Sequence, residues 1–234
     1  MKKYIDEIFT CVFCIAFVVL TLLVKFVDVA VTEPNSIKVG LATINEAFRK
    51  LVGHNSNWEL LSTLLGIIAL AVMAFMAFLG LWQLVKEKSL KKVDKQIYAI
   101  GGLYVLTVLF YVLFEIFEVN QRPGVIGVEP EASYPSSHTL LAIVAFVSVA
   151  HFAKHYGLKF LNYFISSKSS TVFEKNESSD KLFFELGIAI RTVAGLAVVS
   201  RALSGVHWLT DIVAGVFLGV ALILGYKCLS RRFD

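Results

Sequence analysis

Six stretches of this chain are apolar for longer than a soluble domain tolerates, and they decide the fold class before any other feature is considered. A hydrocarbon core about 30 Å thick is crossed by roughly 20 apolar residues in a helix. Ile8–Val24 is such a run, broken only by two threonines and two cysteines. Further runs cover about Leu60–Val85, Ile97–Val119, Ser136–Tyr156, Lys181–Leu203 and Val206–Leu229. The first lacks a small-residue cleavage site and is read as a retained span, not a signal peptide. Because backbone polar groups find no water in lipid, each run is expected to be helical. The chain is therefore read as an all-α polytopic membrane protein, a single unit over residues 1–234 with six transmembrane helices. A hydrophobic share of 57% and a mean hydropathy of +0.72 agree with that class.

Residues 32–58 do not fit the span pattern. Ile37, Leu41, Ile44, Phe48 and Leu51 recur at threes and fours, with Lys38, Asn45, Glu46, Arg49 and Lys50 between them. This spacing predicts an amphipathic helix between the first two spans, lying in the interface plane or packed on the protein as a connector. Trp58 is expected at the headgroup level. The polar stretch Lys159–Asp180 is expected to be a loop. Gly215 and Gly219 form a small-xxx-small pair, a helix-packing face.

Lys and Arg are unevenly distributed. The N-terminal tail, the 86–95 loop, the 154–181 region and the C-terminal tail carry fifteen of them; the opposite side carries five and the spans two. By the positive-inside rule both termini are cytoplasmic. The net charge of +4 is accounted for by this topology and calls for no nucleic-acid partner. Cys11 and Cys14 lie within an apolar run without a second pair or a nearby histidine, so they are read as lipid- or helix-facing packing residues.

Against this apolar background, ionisable residues are costly and point to function. Ser200–Asp211, SRALSGVHWLTD, holds Arg201, His207 and Asp211. His207 and Asp211 are four apart, which on a helix places both on one face. Gly205 suits a tight turn between two helices. A histidine oriented by a carboxylate beside an anion-binding guanidinium is suited to phosphoryl chemistry. The positive-inside topology brings this stretch, Arg122-Pro123 and Pro135-Ser136-Ser137-His138 to the outer membrane face. His54, His151 and His155 lack a partner at useful spacing and are read as structural or interfacial.

Together these residues resemble the type 2 phosphatidic acid phosphatase family, lipid phosphatases that share a site with vanadium haloperoxidases. The family signature is Lys-x6-Arg-Pro, then Pro-Ser-Gly-His, then Ser-Arg-x5-His-x3-Asp. Arg122-Pro123, Pro135–His138 and Ser200-Arg201 with His207 and Asp211 match it, within a resemblance covering about residues 60–229. Glu115 stands where the family has Lys, and Ser137 where it has Gly.

The resemblance implies a membrane lipid phosphatase. His207 would be the nucleophile, Asp211 its orienting carboxylate, and His138 the general acid and then base. Arg122, Arg201, Ser136 and Ser137 would hold the phosphate. No metal or cofactor is expected, since two guanidinium groups and a helix N-terminus supply the charge. The expected partners are the bilayer and a lipid phosphate: undecaprenyl diphosphate first, with phosphatidylglycerophosphate or phosphatidic acid as alternatives. A phosphotransferase on the same scaffold is a further alternative; a transporter is disfavoured by the absence of paired broken spans. Glu115 and Arg191, opposite charges assigned to similar depth within spans, are expected to form a buried ion pair.

Overall fold

The computed structural model describes residues 2–32, 36–123, 131–165 and 176–233. In chain order the elements are α1 (Lys2–Phe26), β1 (Ala30–Thr32), β2 (Ile37–Val39), α2 (Ala42–Val52), α3 (Ser56–Glu87), α4 (Lys95–Ile116), α5 (Ser137–Ile165), α6 (Glu177–Ser204) and α7 (Leu209–Ser230). Among the described residues six helices are long and apolar enough to cross a membrane, and they coincide with the six runs read from the sequence. The fold is an all-α polytopic membrane fold.

Local chemistry sets the helix ends. The Asn55 side chain accepts hydrogen bonds from the backbone of Asn57 and Trp58 to start α3, and Asp94 accepts from Gln96 to start α4. Asn176 and Ser179 cap α6 reciprocally. At its other end α6 stops at Gly205, whose φ of +70° is open to glycine without strain. A Cβ there would also run into the Gly53 carbonyl, so the α6–α7 turn is seated directly on the link between α2 and α3.

Helix α5 is the centre of the bundle. It packs on α3, α6 and α7, and its Ala142, Val144, Ala145 and Ala150 are fully buried. Its approach to α7 is close because Gly215 and Gly219 lie in the contact: a Cβ at 215 would stand 2.9 Å from the Ser136 carbonyl oxygen, and one at 219 would stand 3.0 Å from Ile143 Cγ2. The small-residue pair is the packing face its spacing suggested. Peripheral α1 packs on α7 and leaves Ile8, Val12, Ile15, Val19 and Leu22 exposed along its outer side, the surface that a bilayer covers.

The structure corrects several boundaries. The 32–58 segment is not helical from Ile37. Residues 37–39 instead form a strand paired antiparallel with β1, Ala30 opposite Val39, and both Ile37 and Val39 are buried. Helix α2 begins only at Ala42, after Leu41 in a left-handed conformation. β-Branched residues alternating with Lys38 satisfy a strand period as well as a helical one, and burial decided between them. Likewise α5 runs on to Ile165 and α6 begins at Glu177, so both ends of the 159–180 stretch are helical; its middle lies outside the described residues. The polar linker after α4 also lies partly outside them.

All spans are antiparallel to their chain neighbours, so α1, α4 and α6 end where α3, α5 and α7 begin. That end of the bundle also carries the hairpin and α2, and it gathers the three polar motifs.

Candidate active site

The first turn of α7 fixes the geometry. His207 is not on the helix; it lies in the turn before it, and Asp211 folds back from inside the first helical turn. The Asp211 side chain accepts the Trp208 backbone N–H at 3.2 Å, and its Oδ2 stands 3.5 Å from His207 Nδ1. Asp211 is fully buried and His207 is 2% exposed. The two side chains are thus brought within 3.5 Å of each other by a helix N-terminus and not along one helical face.

On the other side of the ring, Arg201 Nη2 lies 2.9 Å from His207 Nε2. A guanidinium can only donate, so Nε2 is the acceptor and carries the lone pair, which leaves the proton on Nδ1 facing Asp211. Arg201 is itself 3% exposed, with a further contact of 3.5 Å from Nη1 to Ser62 Oγ on α3. Burial, with a smaller push from Arg201, lowers the His207 pKa to about 4; the adjacent Asp211 opposes the shift. The imidazole is therefore neutral across the physiological range.

Ser136 precedes α5, and its backbone N–H donates to the Asp211 carbonyl at 2.9 Å, joining the start of α5 to the start of α7. Its hydroxyl is buried without a hydrogen-bond partner, as are Ser133 Oγ, His138 Nδ1, Thr139 Oγ1, Arg201 Nε and His207 Nδ1, the last 3.5 Å from Asp211. Buried polar atoms normally find partners; six without one in and beside these motifs mark a polar site. His138, one residue into α5, is within electrostatic reach of Arg201, His207 and Arg122. It is pressed against α3 at Gly66, where a Cβ would stand 2.6 Å from the ring.

Arg122 arrives from the segment after α4. Its backbone N–H donates to the Glu131 carbonyl at 2.9 Å, and its Nε lies 3.5 Å from the Glu131 carboxylate. A narrow cleft of about 20 Å³ brings together Tyr111, Glu115, Arg122, Ser137 and His207. Six of the seven residues singled out as a site are thus joined by shared contacts or by this cleft, and His138 stands beside them.

Glu115 contradicts the ion pair expected with Arg191. Helix α4 ends at Ile116, so the carboxyl sits in its last turn at the cleft mouth and not a further 10 Å down a continuing helix. Arg191 instead donates to the Gly187 carbonyl one turn back at 2.9 Å. His54, read as unpartnered, lies 2.9 Å from Glu59 across the α2–α3 link.

Sequence reasoning missed the residues that brace the site. Asn120, 1% exposed, donates from Nδ2 to Asp211 Oδ1 at 3.1 Å and accepts the Gly40 N–H at 2.8 Å. Asn45 on α2 donates to Thr210 Oγ1 and to the Gly40 carbonyl, and accepts the Thr210 N–H. The Trp208 indole donates to the Gln121 carbonyl at 2.6 Å, one residue before Arg122. The layer of β2 and α2 therefore clamps the ends of the segments that carry Arg122, His207 and Asp211.

Comparison with known proteins agrees with this architecture. The model of the PAP2 superfamily matches residues 113–234, just over half of the chain. Among solved structures, the fold is similar to the crystal structure of a transmembrane PAP2 type phosphatidylglycerolphosphate phosphatase from Bacillus subtilis. The two share 18% identity and a TM-score of 0.57, over 96% of this chain and 97% of that one. At that identity the likeness is one of fold. No curated protein matches the chain.

Proposed function

The chain belongs to the PAP2 superfamily, and from that premise we propose that its cleft hydrolyses the phosphate ester of a membrane lipid through a covalent phosphohistidine at His207. The observation that carries this reading is the place of the His207 ring, with Nε2 2.9 Å from Arg201 Nη2 and Nδ1 3.5 Å from Asp211; in a neutral ring so held, Nε2 keeps the lone pair.

In the proposed cycle the phosphoryl group enters between Arg122 and Arg201, whose N–H groups turn to its oxygens. Nε2 attacks phosphorus, the bond from phosphorus to the lipid oxygen breaks, and a protonated His138 gives its proton to that leaving oxygen. The positive charge that develops on the His207 ring is held by Asp211 through Nδ1–H. Neutral His138 then takes a proton from water as the water oxygen attacks phosphorus. Inorganic phosphate leaves and Nε2 regains its lone pair. Ser136 and Ser137 supply hydroxyls to the phosphate oxygens.

The scissile group is that of a lipid, because the cleft opens at the end of a membrane bundle where a tail can remain among the helices. The Glu115 carboxyl in the cleft favours a lipid phosphate monoester over a diphosphate, whose extra charge it opposes. Phosphatidylglycerophosphate or phosphatidic acid is therefore the first candidate here and undecaprenyl diphosphate the second. The charge distribution supports a site facing outside, with both termini in the cytoplasm.

The test is phosphate release by the purified full-length chain in detergent from a panel of these three lipids. His207→Ala should abolish turnover, vanadate should inhibit as a mimic of five-coordinate phosphorus, and EDTA should leave the rate unchanged. Activity retained in His207→Ala, or lost in EDTA and restored by a divalent cation, overturns the mechanism.

A further inference from the structure

A second groove, of about 590 Å³, lies on the same end of the bundle outside the catalytic cleft. It is bounded by the hairpin at Val31 and Thr32, by α2 at Glu46, Arg49 and Lys50, and by Trp208. The Arg49 guanidinium lies over the Trp208 ring, 5.6 Å from its centroid. Its Nη1 is buried and has no hydrogen-bond partner. Glu46 lies in the same groove, but it faces Lys50 at 3.9 Å with both side chains largely exposed, so Arg49 is not neutralised there.

A guanidinium that has lost water from one N–H without gaining an acceptor is left short of a partner. The desolvation also lowers the Arg49 pKa from its usual value, though the group stays a cation. The indole face carries the guanidinium, and a planar fork of donors matches the oxygens of a phosphate.

The depth of the groove follows from α2 itself. Ile44 and Leu51 are seven residues apart, lie on one face and are 52% and 84% exposed. At 100° per residue, Glu46, Arg49 and Lys50 occupy the opposite side. An amphipathic helix with bare apolar residues on one side and basic residues on the other lies in the membrane interface, its polar side among headgroups. We propose that the Arg49–Lys50–Trp208 groove is a phosphate-binding subsite for the headgroup of an anionic lipid, separate from the catalytic cleft.

Trp208 is the reporter, since it floors the groove. In the full-length chain with Trp58→Phe and Trp82→Phe it is the only tryptophan left. Its fluorescence is followed in detergent micelles as phosphatidylglycerol, phosphatidylcholine or inorganic phosphate is added, with and without vanadate in the catalytic cleft. The expected result is a saturable response to phosphatidylglycerol that vanadate does not displace, weakened about tenfold or more by Arg49→Gln and less by Lys50→Gln. A response to inorganic phosphate but not to phosphatidylglycerol would keep the phosphate chemistry and overturn the lipid source. No response to either anion, displacement by vanadate, or a response unchanged in Arg49→Gln overturns the subsite. Should Arg49→Gln fail to fold, Arg49→Lys and Lys50→Gln carry the test, and equal affinity in both refutes the proposal.

Discussion

Asn120 and Asp211 are bonded side chain to side chain, Nδ2 to Oδ1 at 3.1 Å, although ninety-one residues separate them. The other oxygen of Asp211 serves the Trp208 N–H and faces His207. Asn120 therefore decides which way the carboxylate that faces His207 is turned, while its own Oδ1 anchors Gly40 of the outer layer.

From this bond it follows that Asn120→Ala leaves a buried carboxylate oxygen without its donor, a loss of about 1–3 kcal/mol. The midpoint of thermal unfolding in detergent should fall, and kcat should fall with KM little changed, because Asn120 positions and does not touch substrate. Asn120→Asp should be worse than Ala, since it sets two carboxylates against each other in a buried place. A wild-type kcat in either variant would refute the positioning role.

Helix α3 enters the site through a missing side chain. A Cβ at Gly66 would stand 2.6 Å from His138 Cδ2 and 3.2 Å from Nε2, so Gly66→Ala must displace the ring by about 1 Å. For His138 as the proton donor proposed above, misplacement of that size costs about a hundredfold in rate. The expected phenotype is a folded protein with strongly reduced kcat. Full activity would mean that the ring has room to move and that its place against α3 is not required.

The spans and the third motif were legible from the sequence because both rest on patterns local in the chain: apolar runs for the spans, fixed spacings for Arg201, His207 and Asp211. Asn120 and Asn45 were not, because an asparagine in a polar linker or on the polar side of an amphipathic helix looks the same whether it meets water or a distant backbone. Gly66 left no mark among the small residues of an apolar helix. Residues 37–39 were read as the start of the helix because three residues are too few for the two periods to differ. The Glu115 ion pair failed for a related reason: depth was counted along a helix that in fact ends at Ile116.

The low pKa of His207, about 4 against an ordinary 6.5, has a signed consequence. Below 6.5 the unfolded chain binds a proton that the folded chain refuses until about 4. Stability should therefore be intact above pH 6.5 and fall as the pH drops through that window. Carboxyl groups also titrate at the lower end, so the comparison is with His207→Gln. The wild type should lose more of its unfolding midpoint than this variant between pH 6.5 and 4.5. Equal losses would mean that His207 is protonated in the fold.

Ser56 offers a test of orientation. It is exposed in the first turn of α3, at the end of the bundle that carries the cleft. With Cys11, Cys14 and Cys228 replaced, Ser56→Cys should react with a membrane-impermeant thiol reagent in intact cells. Labelling only after lysis would turn the cleft to the cytoplasm.

The last prediction concerns Glu115. It shares the cleft with Arg122, Ser137 and His207, so its charge acts on whatever the cleft admits. A diphosphate brings more negative charge than a monoester and meets more repulsion; across a half-wet site each unit of charge is worth on the order of 1 kcal/mol, about fivefold. Glu115→Gln should raise kcat/KM for undecaprenyl diphosphate about fivefold relative to phosphatidic acid, and Glu115→Lys should raise it further. Arg191 is bound to the Gly187 carbonyl of its own helix, so Glu115→Gln and Arg191→Gln should have additive effects on thermal stability. Coupling between them would restore the buried ion pair. An unchanged ratio of the two substrates in Glu115→Lys would remove residue 115 from substrate selection.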